Sequence, residues 1–216
     1  MTAQERFLKR RGETMLLPDG TKCKASLGSS TRATYSLANR AYFFEGTMQT
    51  GGYTIGDYLT REMDGLAYLI ETIQPEPPYT RIQAVYLAQC NALVNLERQG
   101  EIQYDENEKP IYPETNGWYV YAEKIKVYSD TTPRSDKQVN DGRLDQSIYI
   151  MHLPHCNGVQ KADRVTVITS TGTVVRKFRV EGINDALTPL DNSTGGVDIL
   201  QLSEDTRPGE ALPMGG

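Results

Sequence analysis

The stretch that decides the fold reads DYLTREMDGLAYLIETIQ from Asp57 to Gln74, then, after the proline-rich break Pro75–Pro78, TRIQAVYLAQCNALVNLER from Thr80 to Arg98. Asp64-Gly65 stands between two apolar-patterned runs, and a tight turn of that composition suits a hairpin because both positions tolerate positive φ. Tyr58–Met63 and Leu66–Gln74 are therefore predicted as paired antiparallel strands. In the run that follows, the even positions Ile82, Ala84, Tyr86, Ala88, Cys90, Ala92, Val94 and Leu96 are apolar or aromatic, whereas Arg81, Gln83, Gln89, Asn91, Asn95 and Glu97 are polar. That alternation is the period of a strand. The run is longer than the ~5–6 residues of an ordinary strand, and Ala, Leu and Gln are good helix formers. The reading is one long, bent strand, with a helix as the alternative.

Working outward, 216 residues can bury one large core or two small ones. Thirteen Tyr and nineteen Gly point to strands and turns, and the class is mostly β. A net charge of -5 and a pI of about 5.2 lack the basic footprint of a dedicated nucleic-acid binder, although a protein that merely lets nucleic acid pass is compatible with them. No apolar run reaches the ~18 residues of a membrane span, and the start MTAQERFLKRRG lacks the apolar core of a signal peptide, so a soluble protein made in the cytoplasm is expected. Three widely spaced cysteines, Cys23, Cys90 and Cys156, suit reduced thiols better than a disulfide framework.

Taken in order, Thr2 to Glu5 has the spacing of a capping box, Glu5 and Lys9 are an i, i+4 pair, and Gly12 can close the helix in a left-handed conformation. This short helix carries Phe7 and Leu8 among Arg6, Lys9, Arg10 and Arg11. It reads either as a solvated helix on the body or as an arm whose Phe7 and Leu8 dock on a neighbouring subunit while the cations meet an acidic partner surface. A small hairpin is predicted to turn at Asp19-Gly20 with Cys23 on a strand, Ser26–Arg40 is a loop or short helix, Ala41–Glu45 is a strand, and Gly46–Gly56 is a connection. Gln99–Asn116 is a loop rich in acids and prolines, and Trp118–Tyr128 is a strand. Ser129–Ser147 is polar, charged in both signs and too long for an ordinary connection, which makes it the main candidate functional loop, with plain disorder the other reading. Ile148–Pro154, Arg164–Ser170, Thr173–Ile183 and Val197–Leu202 complete a small antiparallel barrel or sandwich, and the tail from Glu204 is expected to be extended and held by another chain. The organisation divides into 1–50 with the arm helix and first strands, 51–128 with long hairpins, and 129–216 with the loop, barrel strands and tail. No internal repeat is evident.

Chemistry-bearing clusters are sparse. His152, His155 and Cys156 are metal-ligand types, yet a fourth zinc ligand must come from afar, from Cys90 or Cys23, and a strand end is the commoner meaning of such a run. Nothing around the cysteines forms a nucleophile motif. Gly51-Gly52 and Gly195-Gly196 lack the strand-to-helix context and the lysine of a phosphate loop. No cofactor and no catalytic residue is expected. Trp118, Tyr119 and Tyr121 raise a carbohydrate-binding module as an alternative, although strand alternation separates Trp118 from Tyr119. A hydrolase is the other alternative.

The hairpin at Gly65–Glu76, the run Gln89–Arg98 with Cys90-Asn91, the stretch Val165–Ile183 after Asp163-Arg164, and Asp198–Leu202 together resemble virion proteins of tailed bacteriophages. The closing hairpin and last strand are similar to those of the head-closure, or stopper, proteins of the phage neck. That resemblance implies a small β-barrel that forms a ring under the portal, hexameric by analogy, joins the DNA-filled head to the tail and helps close or line the DNA channel. It implies as partners further copies of the chain, a portal or adaptor protein, a tail terminator or other tail protein and passing genomic DNA bound without sequence specificity, with no membrane contact and a place in the virion. Under it Arg6, Phe7, Leu8, Lys9, Arg10 and Arg11 are the expected subunit interface, and Asp130, Arg134, Lys137, Asp141, Arg143 and Asp145 the expected channel or interface loop. A mixed-charge lumen lets phosphates slide, where a basic one would hold DNA through counterion release.

Overall fold

The computed structural model describes residues 3–30, 40–74, 81–100, 103–104, 106–107, 110–111, 117–134, 148–155, 158–184 and 195–209. After a helix α1 (Ala3–Arg11), the strands β1 (Glu13–Leu16), β2 (Lys22–Ser29), β3 (Phe43–Gln49), β4 (Tyr58–Arg61), β5 (Ala67–Gln74) and β6 (Ile82–Gln89) close into an antiparallel barrel in the order β1-β2-β3-β6-β5-β4. A second closed barrel takes β7 (Ala92–Gln99), β10 (Trp118–Arg134), β11 (Ile148–Pro154), β12 (Arg164–Ile168), β13 (Val174–Asn184) and β14 (Val197–Glu204). Between β7 and β10 a two-stranded ladder joins β8 (Gln103–Tyr104) to β9 (Pro110–Ile111). The mostly β class expected from composition is the observed one, as barrels with a short N-terminal helix. Closure leaves neither barrel a free edge.

The two barrels have one topology. Written from its first strand, the second runs β7-β10-β11-β14-β13-β12, with β12 returning to β7 as β4 returns to β1. The ladders agree residue by residue. Leu59 pairs with Tyr68 as Val165 pairs with Phe178, and Met48 pairs with Gln83 as Leu153 pairs with Asp198. Both copies carry a bulge at a glutamate: the ladder shifts between Ile70 and Thr72 around Glu71, and between Val180 and Gly182 around Glu181. The cores correspond as well. Met15, Ala25, Met48, Leu59, Tyr68, Ile70, Val85 and Leu87 fill the first barrel where Val94, Val127, Leu153, Val165, Phe178, Val180, Leu200 and Leu202 fill the second.

The entry to the second half of each barrel repeats the same turn. Asp57 Oδ2 accepts the Thr54 N–H at 2.7 Å, and Asp163 Oδ2 accepts the Gln160 N–H at 2.7 Å. Gly56 donates to the Ile70 carbonyl and Ala162 to the Val180 carbonyl. Both turn residues are left-handed, Gly56 with φ 93° and Ala162 with φ 75°. The internal repeat that was not evident in the sequence is thus explicit in register, bulges and turns.

Several expectations need correction. The long bent strand over 82–96 is two strands, broken at Cys90-Asn91 where the chain passes from one barrel to the other. The phase of the alternation changes there: Val85 and Leu87 point inward on β6, Val94 and Leu96 on β7. At Asp64-Gly65 the strands pair as expected, but only Gly65 takes positive φ, and the turn is a longer loop closed by bonds from Gly65 N and Arg61 N to Arg61 O and Leu66 O. Ser26–Ser29 continue β2, and Gly46–Gln49 continue β3, rather than forming loops. Gly12 is not left-handed. It is required because a Cβ there would lie 2.5 Å from the Leu8 carbonyl that ends α1. The hairpin at Asp19-Gly20, Cys23 on a strand, and the strands from Ile148, Arg164, Thr173 and Val197 are found close to where the sequence put them.

Of the three sequence stretches, 1–50 supplies β1 to β3, 51–128 supplies β4 to β9 and the first part of β10, and 129–216 the remainder.

Candidate functional site at the barrel joint

The bulge at Glu71 turns a carboxylate out of the first barrel at a point where a regular strand would keep the ladder continuous. On the outer faces of β5 and β6, Leu69, Glu71 and Ala88 are all buried. Glu71 Oε1 meets His152 Nδ1 of the second barrel at 2.5 Å, with both side chains almost completely buried. Around the pair, Phe43 lies edge-on to Tyr128 with ring centroids 4.7 Å apart, and Tyr128 edge-on to His152 at 5.2 Å. Phe43, Ala88 and Tyr128 form a small apolar cluster that belongs to both barrels. Tyr58 Oη donates to the Lys126 carbonyl at 2.6 Å, and Gly196 N donates to the Ile55 carbonyl at 2.8 Å. Gly56 is obligatory at this seam, since a Cβ would sit 2.3 Å from the Gly196 oxygen. Glu71 Oε2 is buried with no hydrogen-bond partner among the described residues, so only one oxygen of the carboxylate is engaged at the joint.

Beside the crossover the two barrels enclose an open cleft of about 590 Å³, lined by Leu66, Cys90, Asn91, Lys126, Ile168 and Ser170 among others. Asn91 anchors the crossover by accepting from Ser129 N and donating to Ser129 O, at 2.8 and 2.9 Å. Burial pushes the Cys90 thiol up to about 12 and the Cys23 thiol up to about 11, so both stay protonated at neutral pH.

A second constellation holds the end of the described chain. Trp118 is buried beneath two guanidinium groups, with Arg164 Cζ 3.7 Å and Arg207 Cζ 4.6 Å from its ring centroid. Arg164, itself fully buried, donates to Asp205 Oδ2 at 2.8 Å and to the carbonyls of Arg207 and Gly209. Arg207 grips Asp205 with two side-chain bonds of 2.8 Å. Nearby, Arg98 holds Asp163 in a two-point pair at 2.9 and 2.7 Å, and Tyr121 donates to the same carboxylate.

The expected site residues fare unevenly. Arg6, Lys9, Arg10 and Arg11 are exposed on α1 with no carboxylate partner among the described residues, and Phe7 is 53% exposed. Leu8 is the correction: it is 2% exposed and packs into its own chain, since the helix needs an apolar anchor and β2 supplies it. Asp130 is also corrected. It lies in the ladder opposite Ile150 and is buried, because β10 runs on past the point where polar composition implied a loop. Arg134 closes the same strand opposite Ile148. Lys137, Asp141, Arg143 and Asp145 lie outside the described residues. The tail expected to be held by another chain is held by its own through Asp205–Gly209, and residues 210–216 lie outside the description.

His152 and His155 do not converge on a metal. His152 is spent on Glu71, His155 Nδ1 meets Asp198 at 2.7 Å, and Cys156 lies outside the described residues. No metal-binding group of three or more side chains occurs among the described residues. Trp118 and Tyr121 are committed to Arg164 and Asp163, which leaves only Tyr119 of that trio exposed. Sequence reasoning missed Glu71, Arg164, Asp205 and Arg207. One signal could have found the first: Ile70-Glu-Thr-Ile-Gln74 and Val180-Glu-Gly-Ile-Asn184 repeat one pattern, as do Gly56-Asp-Tyr-Leu-Thr60 and Ala162-Asp-Arg-Val-Thr166. No helix is long and apolar enough to cross a membrane among the described residues. In comparisons with known proteins, no family model, no curated protein and no solved structure matches the chain.

Proposed function

We propose that the chain is a structural protein of a tailed-bacteriophage neck, assembling as a homo-oligomeric ring that joins the DNA-filled head to the tail and helps close or line the DNA channel. The observation that carries the assembly reading is the joint itself. Two copies of one barrel meet through different faces, β5 and β6 of the first against β10 and β11 of the second. A contact between unlike patches of like modules is heterologous, and heterologous contacts between copies generate rings when the rotation closes. The phage assignment rests on the sequence pattern of 65–76, 89–98, 165–183 and 198–202, stretches that supply strands to both barrels.

In this role Arg6, Lys9, Arg10, Arg11 and Phe7 on α1 offer a cationic surface with an apolar centre to an acidic neighbour, and DNA passes without specific contact. The test is the mass of the purified protein by light scattering, alone and mixed with candidate portal, adaptor and tail proteins. A ring, formed alone or on contact with those components, is the expected result. A monomer indifferent to all of them would overturn the reading.

A further inference from the structure

The duplicated fold gives each barrel two outer faces that correspond to the two sides of the internal joint, and on each barrel one of them takes no part in that joint. On the presenting side, Leu69, Glu71, Tyr86 and Ala88 of the first barrel have as counterparts Arg179, Glu181, Gln201 and Ser203 of the second, by the register of β5 with β6 and of β13 with β14. On the receiving side, Lys126, Tyr128, Ile150 and His152 of the second barrel have as counterparts Lys24, Ser26, Glu45 and Thr47 of the first, by the register of β10 with β11 and of β2 with β3.

Within the joint these positions are largely apolar or aromatic and buried. Outside it the apolar positions among these are all polar, although Phe43 of the joint has an apolar counterpart in Ile148, and the bulged glutamate and the lysine are the same in both copies. Glu181 and Arg179 keep 37% and 45% of their side chains exposed. Thr47, Glu45, Ser26 and Lys24 are half-buried, and Lys24 Nζ donates to the Gly12 carbonyl that follows α1. The difference in polarity is what an interface that must also exist open requires: the internal joint never separates, whereas a surface exposed before assembly has to stay soluble. The charges also complement each other, with Arg179 and Glu181 on one face and Glu45 and Lys24 on the other.

We infer that copies of this chain join head to tail through these two faces, the β13–β14 face of one copy seating on the β2–β3 face of the next as β5–β6 seats on β10–β11 within the chain. By that correspondence Glu181 meets Thr47 of the neighbouring copy, in the place where Glu71 meets His152. The occupant of each face is therefore a second copy of this chain. The inference rests on the assembly reading above and specifies its contact.

Mild oxidation of mixed Thr47→Cys and Glu181→Cys proteins tests it. The expected result is a disulfide-linked dimer at least tenfold more abundant in the mixture than in either variant alone, and a ladder of multimers from the double variant. Each single variant retains the native cysteines and so serves as the control for them. A charge reversal, Glu181→Arg, should weaken assembly at least tenfold by sedimentation while the folded spectrum is unchanged. Assembly by light scattering without a mixture-specific dimer would overturn these faces and leave the ring reading standing. A monomer alone and with the head and tail proteins would overturn both.

Discussion

At the scale of single residues, the repeated turn sets a natural comparison. Gly56 and Ala162 occupy one position in two copies of one fold, with left-handed φ of 93° and 75°. An L-residue pays about 1–2 kcal/mol in that region, and glycine returns roughly 0.5–1 kcal/mol of that as chain entropy. Ala162→Gly should therefore raise stability by about 0.5–1 kcal/mol in urea unfolding. The converse change, Gly56→Ala, brings a Cβ to within 2.3 Å of the Gly196 oxygen at the joint and should lower stability by about 2 kcal/mol or more. Equal effects at the two sites would contradict the proposed difference between a turn clear of the other barrel and one pressed against it. Both positions precede an aspartate that caps its own turn. Asp57 and Asp163 were readable in the sequence as polar residues at strand starts, but the equivalence of their bonds was not, because only Asp163 is also held by Arg98 and Tyr121.

At the scale of elements, the end of the chain behaves as a latch over the second barrel. Burial pushes the Asp205 carboxyl up, but the hydrogen bonds from Arg207 and Arg164 outweigh it and hold the group at about 2. An unfolded chain carries an aspartate near about 3.9. The folded pKa is the lower one, so the latch contributes fully above about pH 4 and its contribution, about 2 kcal/mol at most, is lost as pH falls toward 2. The protein has one tryptophan, Trp118, and it lies beneath the latch, so its emission reports the event. Acidification from pH 4 to 2 should shift that emission to the red. Asp205→Asn should produce part of the shift at neutral pH and flatten the acid limb. It should also destabilise by about 2 kcal/mol, since among the described residues buried Arg164 then keeps the more distant Glu97 as its charged partner. An unchanged acid profile in that variant would remove Asp205 from the latch. The sequence could not disclose this element. The tail from Glu204 has no apolar period to mark it, and its partners Arg164 and Trp118 are remote in the chain.

At the scale of the whole molecule, cooperation between the barrels depends on the joint. Glu71→Ala leaves His152 Nδ1 buried without its hydrogen-bond partner and should cost about 2 kcal/mol. Because each barrel has its own core, the loss should fall on coupling, and calorimetry should resolve two transitions in the variant against a single one expected for the native protein. A single transition at the native temperature would mean that the apolar cluster of Phe43, Ala88 and Tyr128 suffices. The loop expected to work in the channel is only partly within view at this scale: Asp130 and Arg134 belong to β10, and its remaining expected members lie outside the described residues.

Local sequence determined the elements. Alternation, turn glycines and aromatic-rich runs place most strands within a few residues, because a half-buried strand must alternate and a tight turn must tolerate positive φ. The same signals could not determine how the strands associate. Alternation over 82–96 reads as one strand because β6 is apolar on both faces, one toward its own core and one toward the second barrel. The phase change at Cys90-Asn91 is therefore invisible without knowing that a second barrel exists. Tertiary structure alone decided that twelve strands close as two copies of one barrel, that Glu71 and His152 meet 81 residues apart, and that the chain's own tail covers Trp118. Closure, duplication and the joint are set by long-range pairing, whose register leaves only short traces such as Ile70-Glu71 and Val180-Glu181 in the chain. The fold class is a local property and was legible. The candidate site is a property of contact between modules, and no single stretch of sequence encodes it.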